Sequence, residues 1–433
     1  MRTPFQARTD GHLLKLQSIA GLFVFIGICW AVSSARRKIA WRTVVVGLTL
    51  QVVLGLVFLK WDHGRLFLQS VSHGVASFLE LSTTGSEFMF GLLGDRATAA
   101  KLFADFPPGV AKGGFIMAFQ VLPTIIFFSA FMAVIYHLGV MKWVVRGIAW
   151  VMVRLMGTSG SESLSVASNI FVGQTEAPLL VRPFLTGMTK SELMAVMTGG
   201  FATIAGGVFA LYVGFGVDAG HLMIASVMSA PAALVVAKLL VPETEESETM
   251  GEVKARMDKT ASNVVEAAAN GTTDGLKLAL NVGAMLIAFL GLIAVVDWLL
   301  AAGSSLFTEN AAHYLSLQKI FGVLFAPFAF FLGIGPGDVG QVGQLLGYKI
   351  AVNELVAYQQ LAAMKPELSA RSATIATYAL CGFANFSSIA IQIGGISALA
   401  PGRKSDLAKL GVRAMFGGAI ASWMTACVAG ALI

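Results

Sequence analysis

Long apolar runs constrain this chain more than any other feature of its sequence. Several windows exceed the ~18 apolar residues that are needed to cross a bilayer. Of the 433 residues, 56% are hydrophobic and 12% are charged, whereas a soluble domain carries about a quarter charged residues. We therefore predict an all-α polytopic membrane protein. The net charge of +6 then reflects basic loops that set orientation, and it does not indicate nucleic-acid binding.

The apolar runs predict about eight transmembrane helices. The predicted spans are residues 14–34, 42–60, 114–138, 191–217, 220–241, 276–302, 370–399 and 407–431. The basic cluster Arg36-Arg37-Lys38 places the first loop in the cytoplasm, because basic loops remain on that side. Both termini are then expected outside, in a multi-pass protein of the inner (plasma) membrane. Amphipathic patterns predict interfacial helices over residues 62–98 and 141–156, and residues 319–335 are expected to form an external interfacial helix or half-helix.

Two stretches bring polar residues into segments that otherwise indicate membrane. The first is Asn169-Ile170-Phe171-Val172-Gly173-Gln174-Thr175-Glu176-Ala177-Pro178-Leu179-Leu180, and the second is Val352-Asn353-Glu354-Leu355. Such groups are costly in hydrocarbon unless they face protein, water or a ligand. The apolar runs around them, 160–186 and 337–364, are interrupted. We therefore predict two re-entrant helical hairpins that face each other.

Short sequence matches relate the two halves of the chain. Gly200-Phe201-Ala202-Thr203 matches Gly382-Phe383-Ala384-Asn385, and Lys190-Ser191-Glu192-Leu193 recurs as Lys404-Ser405-Asp406-Leu407. The predicted hairpins enter from opposite sides of the membrane. This pattern is typical of an inverted repeat with a substrate site at the bilayer midplane.

The repeat suggests a division of the chain into scaffold and transport parts. We expect N-terminal scaffold helices with an external interfacial helix (1–138), a first transport repeat (139–241), a cytoplasmic loop (242–275), a scaffold helix with an external loop (276–318) and a second transport repeat (319–433). The sequence suggests no function for the acidic loop at 242–274.

The first polar stretch offers groups that suit a planar, uncharged ligand. Gln174, Thr175 and Glu176 can present an amide, a hydroxyl and a carboxylate acceptor side by side. The basic residues near the two polar stretches, Arg182 and Lys349, lie at their flanks. A strongly anionic substrate such as a nucleotide is therefore disfavoured.

The second polar stretch suits a vicinal diol, as on a sugar ring. Glu354 can accept two hydroxyl hydrogen bonds at once, and Asn385 and Ser388 add further partners. Phe383 could contact a flat ring or a sugar face. Asn353, beside Glu354, is a further candidate for substrate binding.

A cation site needs oxygen ligands. Asn169 and Thr203 supply side-chain oxygens, and broken helix ends near Val172 and Ile204 would supply backbone carbonyls, as in sodium-coupled transporters. From these residues alone, sodium and a proton carried by an acidic residue remain alternatives.

Each candidate also has a purely structural interpretation. Glu176 or Glu354 could pair with a basic residue, although intramembrane ionisable residues are functional by default. Asn169 and Asn353 could cap helices at the hairpin tips, and Phe383 could pack in the core.

These motifs resemble the concentrative nucleoside transporter family. The similarity lies in residues 173–183, 352–358, 379–389 and 401–407. The resemblance implies a homotrimer in which each subunit has a scaffold and a moving transport domain that works like an elevator. It also implies that the nucleobase is bound by the Gln-Thr-Glu motif at 174–176, with Phe383 near the base.

The resemblance further assigns the ribose and the ion. Glu354, Asn385 and Ser388 would hold the ribose. Sodium would be bound by the remaining motif residues, Asn169, Val172, Thr203 and Ile204. Thr203 stands where sodium-coupled relatives often have serine, which keeps the oxygen, and the Gln-Thr-Glu form resembles the sodium-coupled branch.

The sequence thus predicts a symporter that imports nucleosides on a sodium gradient. The first alternative is a proton-coupled nucleoside or nucleobase symporter with the same fold. An intramembrane enzyme that uses Glu176 and Glu354 is a second alternative, disfavoured because the sequence shows no nucleophile–base or metal-ligand motif. A passive channel is a third, and the paired broken hairpins favour alternating access instead.

Overall fold

The computed structural model describes residues 4–103, 116–251, 261–306, 310 and 314–433. In these ranges the secondary structure is helical, apart from an isolated β-bridge between Ser159 and Met250. Among the described residues, seven helical segments are long and apolar enough to cross a membrane. An eighth predicted span, 370–399, is built from two short helices.

The N-terminal part contains two long apolar helices, followed by shorter ones. Its helices are α1 (Pro4–Ala31), α2 (Trp41–Leu59), α3 (Asp62–Glu80), α4 (Ser82–Phe90), α5 (Arg96–Leu102), α6 (Met117–Gln120), α7 (Leu122–His137) and α8 (Val140–Met156). The segment predicted as one interfacial helix at 62–98 is three helices. Gly91, at the end of α4, has φ +55°, a conformation that stops a helix.

The first repeat is a hairpin followed by a broken span and a long helix. It contains α9 (Gly160–Asn169), a 3₁₀ helix (Ala177–Phe184), α10 (Lys190–Ala202), α11 (Gly206–Gly214) and α12 (Ala219–Leu240). We call α9 and this 3₁₀ helix hairpin 1. Thr189 and Glu192 form a capping box at the start of α10, which confirms the start that the sequence predicts for this helix.

The second repeat has the same order of elements. It contains α16 (Val339–Ala351), α17 (Glu354–Met364), α18 (Ala370–Leu380), α19 (Phe386–Leu399) and α20 (Lys404–Leu432). We call α16 and α17 hairpin 2. The related motifs at 200–203 and 382–385 both lie where a span breaks, so the structure places this part of the repeat as expected.

The other proposed sequence match is not part of the repeat. Lys190 opens α10, the first half of a broken span, whereas Lys404 opens α20, the helix that follows a broken span. The two stretches therefore occupy non-equivalent positions. They resemble each other because both begin a helix, where an acidic residue in the first turn is favourable.

The region between the repeats differs from the sequence expectation at its start. A helix of 42 residues, α13 (Val264–Ser305), begins inside the segment predicted as a loop at 242–275. Asn263 caps this helix by accepting a hydrogen bond from the Glu266 amide, at 2.9 Å. The short helices α14 (Leu317–Leu324) and α15 (Ala326–Phe331) follow, over the residues 319–335 that were predicted as an external interfacial helix or half-helix.

Packing divides the helices into two groups. The spans α10, α12 and α20 pack against one another, and α1 and α2 pack on α12 and α20. By contrast, α13 packs along α7. Gly271 and Gly275 allow this close approach, since a Cβ at Gly271 would lie 2.7 Å from the Ser129 carbonyl oxygen. Small residues at such a contact let two apolar helices pack backbone to backbone.

Candidate functional site

The tip of hairpin 1 is held by a side chain from the other repeat. Gln392, on α19, donates through Nε2 to Gln174 Oε1 at 3.0 Å and to the Met197 carbonyl at 3.1 Å. Gln174 and Gln392 are buried. Gly200 makes room for this pair, because a Cβ there would lie 2.6 Å from Gln392 Nε2. The amide of Gln174 is therefore oriented before any ligand binds.

The rest of the Gln-Thr-Glu motif is more accessible. Thr175 is half-buried and Glu176 is exposed. Glycines surround both side chains: a Cβ at Gly395 would lie 2.8 Å from Thr175 Cγ2, and one at Gly173 would lie 2.1 Å from Glu176 Oε2. A side chain at Gly173 would thus displace the carboxylate. The motif keeps polar groups available for a ligand.

The tip of hairpin 2 carries a buried carboxylate with two defined partners. Tyr212 donates to Glu354 Oε1 at 3.0 Å, and Asn385 Nδ2 donates to Oε2 at 2.8 Å. Tyr212 lies on α11 and packs against Tyr358, with ring centroids 4.4 Å apart and ring planes 33° apart. Glu354 therefore joins elements from both repeats. A carboxylate has about four lone-pair sites, so each oxygen retains capacity for a ligand hydroxyl.

Two asparagines cap the half-helices at this end of the site. Asn353 Oδ1 accepts from the Val356 amide at 2.9 Å, and Asn385 Oδ1 accepts from the Ser388 amide at 2.9 Å. The structural interpretation of Asn353 as a cap is confirmed. Over the described ranges, its Nδ2 is buried without a hydrogen-bond partner. Capping thus leaves a donor that a ligand could satisfy.

Of the remaining predicted ribose and base residues, Phe383 lies at the break between α18 and α19, and Ser388 lies in the first turn of α19. Ser388 is buried and Phe383 is half-buried. Gly382 has φ +97°, and a Cβ on it would lie 2.4 Å from the Phe201 carbonyl oxygen. The two broken spans therefore cross at their related motifs, which brings the hairpin tips to one region.

The four predicted ion ligands lie at the facing breaks of the first repeat. Asn169 is the last residue of α9, and its Nδ2 donates to the Ser165 carbonyl at 3.0 Å. Asn169 therefore does not cap a following helix. Its Oδ1 is buried and has no hydrogen-bond partner among the described residues. An orphaned buried oxygen is costly unless an ion or water satisfies it.

The other three predicted ligands lie around the start of α11. Thr203 is buried and its hydroxyl donates to the Gly199 carbonyl at 2.9 Å, which leaves its lone pairs unused. Ile204 is buried and Val172 is half-buried. The Gly206 amide donates to the Phe171 carbonyl at 3.0 Å, so the two breaks are in contact. This set of neutral oxygens fits a hard monovalent cation.

Sequence reasoning missed two of the residues that organise the site. Tyr212 and Gln392 lie in apolar runs, far in sequence from the residues they hold. The one available signal was their type, since a tyrosine and a glutamine in membrane segments need hydrogen-bond partners.

Comparison with known proteins agrees with this geometry. Three family models match in turn: "Na+ dependent nucleoside transporter N-terminus" over residues 20–93, "Nucleoside recognition" over 118–219 and "Na+ dependent nucleoside transporter C-terminus" over 221–430. An uncharacterized transporter of Haemophilus influenzae is 43% identical, over 96% of this chain and 98% of that protein. Sodium/nucleoside cotransporter 1 of Mus musculus is 43% identical over 96% of this chain, which spans 64% of the mouse protein.

Solved structures show the same fold. CNTnw in an inward-facing substrate-bound state has a TM-score of 0.88 and 41% identity, with 97% of this chain and 98% of that chain covered. A double variant of CNTnw in an outward-facing state has a TM-score of 0.89 and 40% identity, with 97% and 98% covered.

Paired re-entrant hairpins and broken spans in an inverted repeat define a secondary transporter. Within that class, the chain belongs to the concentrative nucleoside transporter family. The protein is a transporter rather than an enzyme, and sodium is the coupling ion of its family. The outward- and inward-facing states of CNTnw support sodium-coupled nucleoside transport.

Proposed function

We propose that this protein is a symporter that imports nucleosides across the inner membrane on a sodium gradient. The observation that carries the proposal is the Glu354 carboxylate, which is held by Tyr212 and Asn385 and has lone pairs to spare. A vicinal diol can use those lone pairs, with Ser388 and Asn353 as further partners. Gln174, Thr175 and Glu176 then meet the polar edge of the base, near Phe383.

Sodium binding supplies the coupling in this proposal. Asn169 Oδ1, the Thr203 hydroxyl and the carbonyls of Val172 and Ile204 form the proposed ion site. The ion would join the tip of hairpin 1 to the break before α11. Because the Gln-Thr-Glu motif directly follows that tip, a bound ion orders the side chains that contact the base.

Uptake of labelled uridine into proteoliposomes tests this function. Sodium and proton gradients are imposed separately, each with the membrane potential clamped. We expect accumulation with the sodium gradient alone. Accumulation with the proton gradient alone would instead support the proton-coupled alternative, and accumulation under neither would exclude symport of this substrate.

Alternating access is proposed to occur by an elevator-like movement, and the packing suggests which helices move. The closely packed helices α7 and α13 would form part of the stationary scaffold. The helices α1 and α2 pack on α12 and α20, so in this proposal their contacts join the scaffold at 1–138 to the transport repeats. Gly207 of α11 lies at the boundary, since a Cβ there would lie 2.6 Å from Leu278 Cδ2 of α13.

A bulky residue at this boundary tests the movement. Gly207→Leu should block uridine uptake while equilibrium uridine binding in detergent persists. Gly147→Leu is the control, because a Cβ at Gly147 would have open space around it. Gly216→Leu would not serve as a control, because the φ of +89° at Gly216 would strain any side chain. Equal uptake by the Gly207 and Gly147 variants would contradict a sliding contact at α11.

The assembly and orientation are also proposals. We propose a homotrimer, as the family resemblance implies, with both termini outside. Native mass spectrometry of the purified protein measures the number of chains. Labelling of single cysteines introduced near residues 36 and 433 by a membrane-impermeant reagent in cells measures the orientation, and we expect labelling only at the C-terminal position.

A further inference from the structure

One buried charge in hairpin 2 has no part in the proposed binding steps. Lys349 of α16 is completely buried. Its Nζ donates to the Ala379 carbonyl at 2.9 Å and to the Cys381 carbonyl at 2.7 Å. These carbonyls belong to the broken C-terminal end of α18, where donors within the helix run out. The lysine therefore ties hairpin 2 to the broken span of its own repeat.

The broken ends of the two repeats lie next to each other. The Ser422 hydroxyl of α20 donates to the Cys381 carbonyl and lies 3.5 Å from the Ala202 carbonyl. Each helix C-terminus carries a partial negative charge of about half an elementary unit. Two such ends that converge in a membrane interior repel each other. A nearby cation stabilises such a helix end. Lys349 supplies this cation to the end of α18.

The first repeat uses its buried lysine differently, because Lys238 of α12 pairs with Glu162 in the first turn of α9 and not with the broken end of α10. Between residues 160 and 186 the sequence has one basic residue, Arg182, and it is exposed on the 3₁₀ helix. At the end of α9, which packs on α10, Asn169 Oδ1 is buried and has no hydrogen-bond partner among the described residues. The broken end of α10 thus needs a cation from solution, whereas the broken end of α18 has its own.

We propose that Lys349 is the fixed counterpart of the coupling ion. Its ammonium holds the broken end of α18 to hairpin 2 throughout the transport cycle, as sodium does for α10 and hairpin 1 only when bound. Lys349 is thus a positioning residue, which keeps Asn353 and Glu354 in place. The proposal rests on the proposed function for the identity of the ion at Asn169.

The proposal predicts that sodium orders one hairpin and not the other. Hydrogen exchange of the full-length protein in nanodiscs, without nucleoside, measures this difference. The Gly206 amide reports on hairpin 1, because it binds the Phe171 carbonyl. The Val356 amide reports on hairpin 2, because it binds Asn353. In the wild type, replacing sodium by choline should speed exchange around Gly206 and leave exchange around Val356 unchanged.

A second experiment removes the charge of Lys349 and measures hydrogen exchange in hairpin 2. Lys349→Met should speed exchange around Val356 about tenfold, which corresponds to the larger effects of a charge at a helix end, and sodium should not restore it. Lys349→Arg keeps the charge and should restore protection. Lys238→Met is the matched control, since Lys238 is also a buried lysine but pairs with Glu162, at 2.7 Å. It should leave exchange around Val356 unchanged.

The outcomes separate this proposal from the proposed function. If exchange around Gly206 and around Val356 depended equally on sodium in the wild type, the proposed role of Lys349 would be wrong. This measurement uses the wild-type protein and does not require any variant to fold. Unchanged exchange in Lys349→Met would also overturn this role. An absence of any sodium effect at Gly206 would contradict the ion site of the proposed function, while the Met and Arg variants would still decide whether Lys349 holds hairpin 2.

Discussion

The two hairpin tips differ in how much of the site each has already built. In hairpin 2, Glu354 is 5% exposed and both of its oxygens accept hydrogen bonds from the protein. In hairpin 1, Glu176 is exposed, and Asn169 Oδ1 lacks a partner in the part of the chain that the structure covers. The difference shows how an inverted repeat can assign distinct tasks to related elements. Hairpin 2 therefore holds its carboxylate in place with protein partners, whereas hairpin 1 holds Gln174 but leaves Glu176 and Asn169 Oδ1 open to a ligand or, as proposed, to the ion.

The largest expected effect on uridine uptake comes from Glu354 in hairpin 2. Glu354→Gln should reduce uridine uptake at least about thirtyfold, because removing one partner of a buried hydrogen-bonded charge costs about 2–5 kcal/mol. Glu367→Gln, an exposed change at the base of the same hairpin, should leave uptake close to wild type. Initial rates in proteoliposomes measure both. Normal uptake by the Glu354 variant would remove this carboxylate from the site.

The next effect should appear in hairpin 1 and concern the ion. Asn169→Ala should raise the sodium concentration for half-maximal uptake about tenfold, since an ion–oxygen contact is worth about 1.5–3 kcal/mol. The KM for uridine at saturating sodium should change much less. Asn263→Ala removes an exposed asparagine that caps α13 and serves as the control. A change in the uridine KM without a change in sodium dependence would contradict the assignment of Asn169 to the ion site.

A smaller effect is expected where the repeats meet. Gln392→Ala frees the amide of Gln174 and should raise the uridine KM about fivefold, because one hydrogen bond contributes about 1 kcal/mol. The sodium dependence at saturating uridine should stay the same. Measurements at several fixed sodium concentrations separate the two parameters. If only the sodium dependence shifted, Gln392 would belong to the ion site.

The smallest effect sharpens the ion site further. Thr203→Ser keeps the hydroxyl and should leave the sodium dependence within about twofold of wild type, whereas Thr203→Ala should raise the required sodium about threefold, as loss of one weak ligand predicts. Uptake across a sodium titration measures both variants. Identical titrations for alanine and serine would show that the hydroxyl is not a ligand.

Local sequence patterns predicted the elements that depend on local physics. The long apolar runs indicated the membrane spans, and the polar interruptions at 169–180 and 352–355 indicated the hairpins. The capping box at Thr189 also follows from a few neighbouring residues. The predicted start of this span at residue 276 was wrong. The helix α13 begins at Val264, because polar residues that suggested a loop form the first turns of a long helix that packs on α7.

The amino-acid sequence by itself determined the membrane class, the broken hairpins and the residue types of the site, because hydropathy and helix breaking act over short stretches of chain. Only the tertiary structure decided that Tyr212 and Asn385 share Glu354, that Gln392 orients Gln174 and that Lys349 serves the end of α18. These contacts join residues far apart in sequence. They arise from helix packing, which no local pattern encodes. For the same reason, the contact between the related motifs at 200–203 and 382–385 follows from the packing of the two broken spans and not from either motif alone.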